Sequence, residues 1–292
     1  MSARTAQTTT TFPRAVIFDA YGTLFDVHSV VAAAEQMFPG QGDALSQLWR
    51  QKQIEYAQLR SLAAPTGALY QPFWSITLDA LRFAARRLGL RLTGAGEKRL
   101  MDEYACLSAF PDAVPALKAL RALRSAGGAP VGLGILSNGN PQMLDIAVKS
   151  AGMTGLFDHV LSVDTVRTFK PAPAAYALGT SAFDAAASDI VFVSSNGWDA
   201  SGANWFGYTV FWVNRQRMPA EELGVTPHGT GSSLAELAAF VERCGAHGLE
   251  PKPLRDAARP VDPGITAEIA PNSDSPAPSG RRTGRTRHSP GA

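Results

Sequence analysis

Three features of the sequence predict the fold class. Short apolar runs alternate with helical patterns, one long stretch carries helices alone, and polar turn residues stand just after the apolar runs. The class is α/β: a doubly wound, Rossmann-like parallel sheet core with an inserted helical cap domain. The apolar runs are near-continuous rather than alternating, as expected of strands covered on both faces.

The elements follow in order. Residues 1–13 are Thr-rich and polar and read as a flexible tail. Arg14–Asp19, RAVIFD, is an apolar run ending in an acid and forms the first strand. From 29 to 108 there is no strand pattern. Helical periodicity covers 29–38, 43–62, 72–88 and 96–108, broken at Pro39-Gly40, at Ala64-Pro65-Thr66-Gly67 and at Gly89. This stretch is the cap. Alternation then resumes with strands at Val131–Leu136, His159–Val163, Ile190–Val193 and Thr209–Val213. Helices at Ala113–Arg124, Pro141–Ala151, Ala172–Thr180, Asp199–Phe206 and Ser233–Cys244 separate or follow them. The core is therefore 14–28 plus 109–245. Residues 250–292 are rich in Pro, Gly, Ser and Arg and lack aromatic residues, so they read as a disordered tail. Its arginines 281, 282, 285 and 287 read as solvated.

Composition narrows the function classes. Of 292 residues, 45% are hydrophobic and 18% charged, which excludes a wholly disordered chain. The net charge of +2 gives no reason to expect nucleic acid as a partner. No apolar run approaches the roughly 18 residues of a membrane span. The first residues hold no apolar block of a secretory signal. Two cysteines, Cys106 and Cys244, cannot build a disulfide framework, and a cytoplasmic location is the default expectation.

In open parallel sheets ligands bind outside the carboxyl ends of the strands, so the residues there are candidates for chemistry. Asp19 ends the first strand and is followed by Gly22, which permits a tight turn, and Thr23, which offers a hydroxyl. Ser137-Asn138-Gly139-Asn140-Pro141 ends the second and opens a helix, an arrangement able to cradle an anion. Lys170 stands at a loop-to-helix junction before Pro171, in reach of the first strand's tip. Ser194-Ser195-Asn196-Gly197-Trp198-Asp199 ends a later strand and supplies a second acid. Taken singly, each of these groups also reads as a helix cap, a turn or a solvated surface residue.

Their order is more specific: Asp, then Ser-Asn, then Lys-Pro, then Asp. It resembles the haloacid dehalogenase superfamily over about residues 14–243. Phosphoryl-transferring members carry Asp-x-Asp at the first strand, the second Asp serving as a general acid beside Mg²⁺. Here Tyr21 holds that position, and a phenol with an ordinary pKa of about 10 is no substitute. The segments FDAYGTLFDVHSV, LWRQKQIEY, LRSL, ILSNGNPQML, FKP and SSNGWDASGA are similar to the L-2-haloacid dehalogenases, also called (S)-2-haloacid dehalogenases.

The resemblance implies hydrolysis of short (S)-2-haloalkanoic acids to (R)-2-hydroxy acids and halide, without cofactor or metal. It implies Asp19 as the nucleophile that attacks C2 and forms an ester, and Lys170 as the cation that holds Asp19 as carboxylate. Ser137 would bind the substrate carboxylate. Arg50 would receive the halide, helped by Asn138. Thr23 and Ser194 would position Asp19. Asn196 and Asp199 would orient either the hydrolytic water or Lys170. Tyr21, Gln51, Ile54, Phe73 and Trp198 would line the pocket, with Tyr176 nearby. Residues 63–70 depart from the family's usual length, so Tyr70 and Trp74 stand as alternatives to Phe73. A homodimer is the family's common assembly. The competing readings are an Mg²⁺-dependent phosphatase of the same superfamily and a non-catalytic binding module. His28 has no second His or Cys at ligand spacing, and His159 reads as structural.

Overall fold

The computed structural model describes residues 12–125 and 127–247. Six parallel strands form one sheet in the order β3-β2-β1-β4-β5-β6. They are β1 (Ala15–Phe18), β2 (Gly132–Ser137), β3 (His159–Ser162), β4 (Ile190–Ser194), β5 (Thr209–Val213) and β6 (Gly229–Gly231). β1 lies between β2 and β4, with Phe18 in register with Ile135 on one side and Val193 on the other. The strand order reverses there, which opens a crevice at the carboxyl ends.

All four residues of β1 are buried, and they divide by parity. Val16 and Phe18 join one apolar layer with α5 (Ala113–Ala122), α6 (Pro141–Ser150) and α9 (Leu237–His247). Ala15 and Ile17 join the other, built on α7 (Pro173–Phe183) and α8 (Gly197–Phe206). The period of two in a strand sends alternate side chains to opposite helical layers, which is the doubly wound arrangement the sequence predicts.

Between β1 and α5 the chain makes four helices: α1 (Val31–Met37), α2 (Gly42–Ala63), α3 (Phe73–Arg87) and α4 (Gly94–Ala105). Thr93 caps α4, its hydroxyl accepting from the Gly96 N–H. The buried side of this insertion (Leu45, Trp49, Phe73, Ile76, Leu81, Leu100, Tyr104) continues the layer that covers Val16 and Phe18. The two crossings between insertion and core run side by side. Phe25 bridges Ala109, and the N–H of Asp26 and of Phe110 donate to Ser108 and Leu24 carbonyls. Arg215, just after β5, holds them, donating to both oxygens of Asp112 and to the Thr23 carbonyl.

Three expectations change. β6, a Gly-Thr-Gly strand, has no apolar signature and is absent from the sequence reading. Its glycines exist for packing: a Cβ on Gly229 would stand 2.5 Å from the Phe240 ring. Phe12 and Pro13, read as the end of a tail, are packed: Pro13 is buried and the Phe12 ring lies against Gly245. An aromatic next to an apolar helix gains more from burial than a polar tail residue. The fourth insertion helix ends at Ala105 rather than 108, because the following residues make the return crossing. The tail read at 250–292 lies outside the described residues.

Gly179 on α7 lets that helix approach the sheet. A Cβ there would meet Ile17 Cδ1 at 2.6 Å and the Tyr208 hydroxyl closer still. That hydroxyl is pinned by donating to the Tyr176 carbonyl at 2.6 Å. Helix propensity favours Gly179→Ala by about 1 kcal/mol, but overpacking a closed core costs about 1–3 kcal/mol. Gly179→Ala is expected to lower the thermal unfolding midpoint. A rise would show that the α7–sheet contact is looser than described.

Candidate active site

The ladder between β1 and β4 runs one residue past Phe18: the Asp19 N–H donates to the Val193 carbonyl at 2.9 Å. The Asp19 side chain therefore emerges at the carboxyl edge, only 5% exposed. Its Oδ1 accepts from Lys170 Nζ at 2.8 Å. Its Oδ2 accepts from Thr23 Oγ1 at 3.0 Å and Asn196 Nδ2 at 2.8 Å. Gly22 makes this possible, since the loop turns there with φ +94°, a conformation open to glycine.

Lys170 is fully buried, and its three ammonium protons have three acceptors: Asp19 Oδ1, Asp199 Oδ2 at 2.8 Å and the Leu136 carbonyl at 3.1 Å. Its backbone is held as well, the N–H donating to Asn138 Oδ1 at 2.9 Å. Burial alone pulls the Lys170 ammonium down, but Asp19 and Asp199 outweigh it and hold the group above its ordinary value. Asp199 is fully buried and also accepts from Ser194 Oγ at 3.0 Å and the Tyr176 hydroxyl at 2.8 Å. Burial raises its carboxyl above the usual range, against the opposing pull of Lys170. Ser137, at the tip of β2, is buried and its Oγ accepts from the Gly139 N–H.

From the insertion, α2 brings Arg50 to this edge. Nη2 donates to the Tyr21 carbonyl at 3.0 Å and to Asn196 Oδ1 at 3.4 Å. The Asn196 amide thus touches Asp19 with its nitrogen and Arg50 with its oxygen. Tyr21, buried beside Arg50, forms an aromatic wall with Phe73 and Tyr104, at centroid distances of 6.2 and 5.7 Å. Burial first, then Tyr104 nearby, drives the Tyr21 phenol well above its ordinary value, so it is no acid at neutral pH.

The convergence of these strand tips, together with comparison to known proteins, decides the family. A family model described as haloacid dehalogenase-like hydrolase matches residues 13–207. An (S)-2-haloacid dehalogenase of Pseudomonas sp. (strain YL) is 45% identical over 229 residues, 78% of this chain and 94% of that protein. The chain belongs to the haloacid dehalogenase-like hydrolases, among the (S)-2-haloacid dehalogenases. A crystal structure of an L-2-haloacid dehalogenase is 61% identical with TM-score 0.76, covering 80% of this chain and 100% of that one. The Xanthobacter autotrophicus L-2-haloacid dehalogenase, solved with chloropropionic acid covalently bound, is 38% identical with TM-score 0.71, covering 79% and 98%.

In this dehalogenase, Asp19, Thr23, Arg50, Ser194, Asn196, Lys170 and Asp199 form one hydrogen-bonded group, with Asn138 joined through the Lys170 backbone. Phe73 rather than Trp74 faces Tyr21; Tyr70 stacks on Phe169 at 4.9 Å, and the Trp74 N–H donates to Asn140. Ile54 and Trp198 are half-buried, and Trp198 Nε1 has no hydrogen-bond partner among the described residues. One residue stands elsewhere than the sequence reading puts it. Gln51 is exposed, because it sits about 100° around the helix from Arg50. Tyr176, read as near the site, is buried in the α7–α8 layer and joins the site by donating its hydroxyl to Asp199. Three residues were missed: Gln53, Thr77 and Tyr104 are buried and linked to Arg50. Only Gln53 carried a signal, lying three residues after Arg50 on the same helix face.

Lys170→Met would leave two buried carboxylates without their cation. Its urea-unfolding stability should fall by about 3–5 kcal/mol near pH 8 and by less at an acidic pH, since burial raises the Asp199 carboxyl and favours its neutral form. In the wild type the lysine's contribution is complete below its ordinary 10.5 and is lost only as pH rises through its higher folded value. Equal losses at both pH values would mean the carboxylates are not the uncompensated charge.

Proposed function

We propose that this dehalogenase hydrolyses short-chain (S)-2-haloalkanoic acids to (R)-2-hydroxy acids and halide. The observation that carries the proposal is the Asn196 amide joining Asp19 to Arg50. It brings the Asp19 carboxylate and the Arg50 guanidinium to one site, which supports reading them as nucleophile and anion acceptor.

In the first step an Asp19 carboxylate oxygen attacks C2 from the side opposite the halogen. The C–O bond forms as the C–halogen bond breaks, both of its electrons leave with the halide, and C2 inverts. Ser137 and the N–H groups opening α6 hold the substrate carboxylate. Arg50 takes the halide: its guanidinium is permanently charged and weakly hydrated, which suits a closed site. Negative charge thus moves from Asp19 to the halide, and the Lys170–Asp199 pair left behind is neutral. In the second step water attacks the Asp19 carbonyl carbon and the ester C–O bond breaks; one of the water's protons leaves on the hydroxy acid's new hydroxyl, the other is released to solvent, and Asp19 returns as a carboxylate. Asp19 regains an oxygen from water. Thr23 and Asn196 hold the carboxyl through both steps, while Asp199, backed by Ser194 and Tyr176, holds Lys170.

The helical insertion serves as a cap domain, delivering Arg50 and the Phe73–Tyr104 side of the pocket. Asn138 acts by fixing Lys170, and Trp198 and Ile54 border the alkyl group. The chain works as a homodimer in the cytoplasm. Leu59, Leu62 and Leu69, exposed on the insertion, are apolar surface that a dimer would cover, and free thiols at Cys106 and Cys244 suit a reducing compartment.

The test is halide release from each enantiomer of 2-chloropropionate, in buffer with a metal chelator. The (S) form alone should yield chloride, and Asp19→Asn should reduce the rate by at least about a thousandfold. Phosphate release from a generic monoester on adding Mg²⁺, with no chloride from either enantiomer, would overturn the proposal.

A further inference from the structure

A buried polar relay inside the insertion ends on Arg50. Gln53 is completely buried. Its Oε1 accepts from Arg50 Nη1 at 2.7 Å and from the Tyr104 hydroxyl at 3.1 Å. Its Nε2 donates to Thr77 Oγ1 at 2.6 Å, and the Thr77 hydroxyl donates to the Phe73 carbonyl at 2.7 Å.

The direction of this relay is forced. The Phe73 carbonyl can only accept, so the single hydroxyl proton of Thr77 is committed to it. Thr77 Oγ1 can then only accept from Gln53, and the Gln53 amide must turn its NH₂ toward Thr77. Its carbonyl is left facing Arg50 and Tyr104. A backbone carbonyl at the start of α3 thereby decides which end of a buried amide the guanidinium meets.

The acceptors around Arg50 share a second property. Gln53 Oε1, the Tyr21 carbonyl and Asn196 Oδ1 are all neutral, and among the described residues no carboxylate pairs with Arg50. Three dipoles orient the guanidinium without cancelling its charge.

We propose that Gln53 is a positioning residue for halide departure. Its carbonyl aims Arg50, and its neutrality reserves the arginine's charge for the leaving anion. The inference rests on the reading of Arg50 as the halide acceptor. A glutamate at 53 would fit the same space yet supply a carboxylate to Arg50, drawing the charge away from the site.

The experiment compares wild type, Gln53→Glu, Gln53→Met and Thr77→Val. The readouts are halide release from (S)-2-chloro- and (S)-2-bromopropionate, inhibition by added bromide, and thermal unfolding. Gln53→Glu should weaken bromide inhibition by about tenfold or more and lower kcat by about 10–100-fold. KM should move less than kcat, because the substrate carboxylate is bound at the tip of β2, away from Gln53. The chloro substrate should lose more than the bromo, since the poorer leaving group depends more on Arg50. Thr77→Val, which releases the amide to rotate, should shift the same quantities the same way by less.

Absence of halide release by the wild type would overturn the underlying reading of function. An active wild type, with bromide inhibition unchanged in Gln53→Glu, would overturn the role of Gln53 alone. So would a lowered kcat unaccompanied by any change in bromide inhibition, the signature of a structural role. If Gln53→Glu shows no cooperative unfolding, Gln53→Met and Thr77→Val decide on the same criterion.

Discussion

The Lys170 ammonium, 2.8 Å from both Asp19 and Asp199 and wholly buried, is the interaction on which the site depends. Removing three charges from water is costly, and it is tolerated only where each has its full set of partners. Lys170 has three acceptors, Asp199 has three donors, and Asp19 is held through both oxygens. Those partners come from the ends of β1, β2 and β4 and from α7 and α8, which carry Tyr176 and Asp199. The carboxyl edge of the sheet therefore has one arrangement that satisfies it. The same arrangement suits the nucleophilic role proposed for Asp19, because the lysine and the second aspartate remain balanced when Asp19 loses its charge.

A second constraint comes from the insertion. Its apolar side continues the layer over Val16 and Phe18, so the helices that bring Arg50 share their packing with the strand that brings Asp19. The paired crossings at Phe25 and Ala109, clasped by Arg215, keep the two contributions together. The Asn196 amide is where they meet. Tyr21 shows how far the surroundings shape a group: packed against the Phe73 and Tyr104 rings, its phenol is held well above its ordinary value and offers none of the proton chemistry an acid would supply at that position.

Much of this was legible in the residues. The five apolar strands announce themselves by composition, and the helical insertion by the length over which strands are missing. Asp19, Ser137, Lys170 and Asp199 are marked by standing after apolar runs, where a polar residue needs a reason. What escaped had weaker local signals. β6 is two glycines and a threonine, chosen for the bulk of Phe211 and Phe240 beside it. Gln51 and Gln53 are two residues apart in one motif, and only the helix's orientation on the core separates the exposed one from the buried one.

The sequence by itself determined the order of elements, the parallel sheet, and which strand tips carry acids, hydroxyls and the lysine. Those properties follow from local periodicity and from the cost of burying polar groups. The tertiary structure alone decided that Lys170 spans two carboxylates and that one amide connects Asp19 to Arg50. It also decided that Gln53 presents its carbonyl, and not its NH₂, to the guanidinium. Each of these joins residues 3 to 177 positions apart, and hydrogen-bond direction is set by which neighbours can donate, a property of the folded arrangement that no stretch of sequence contains.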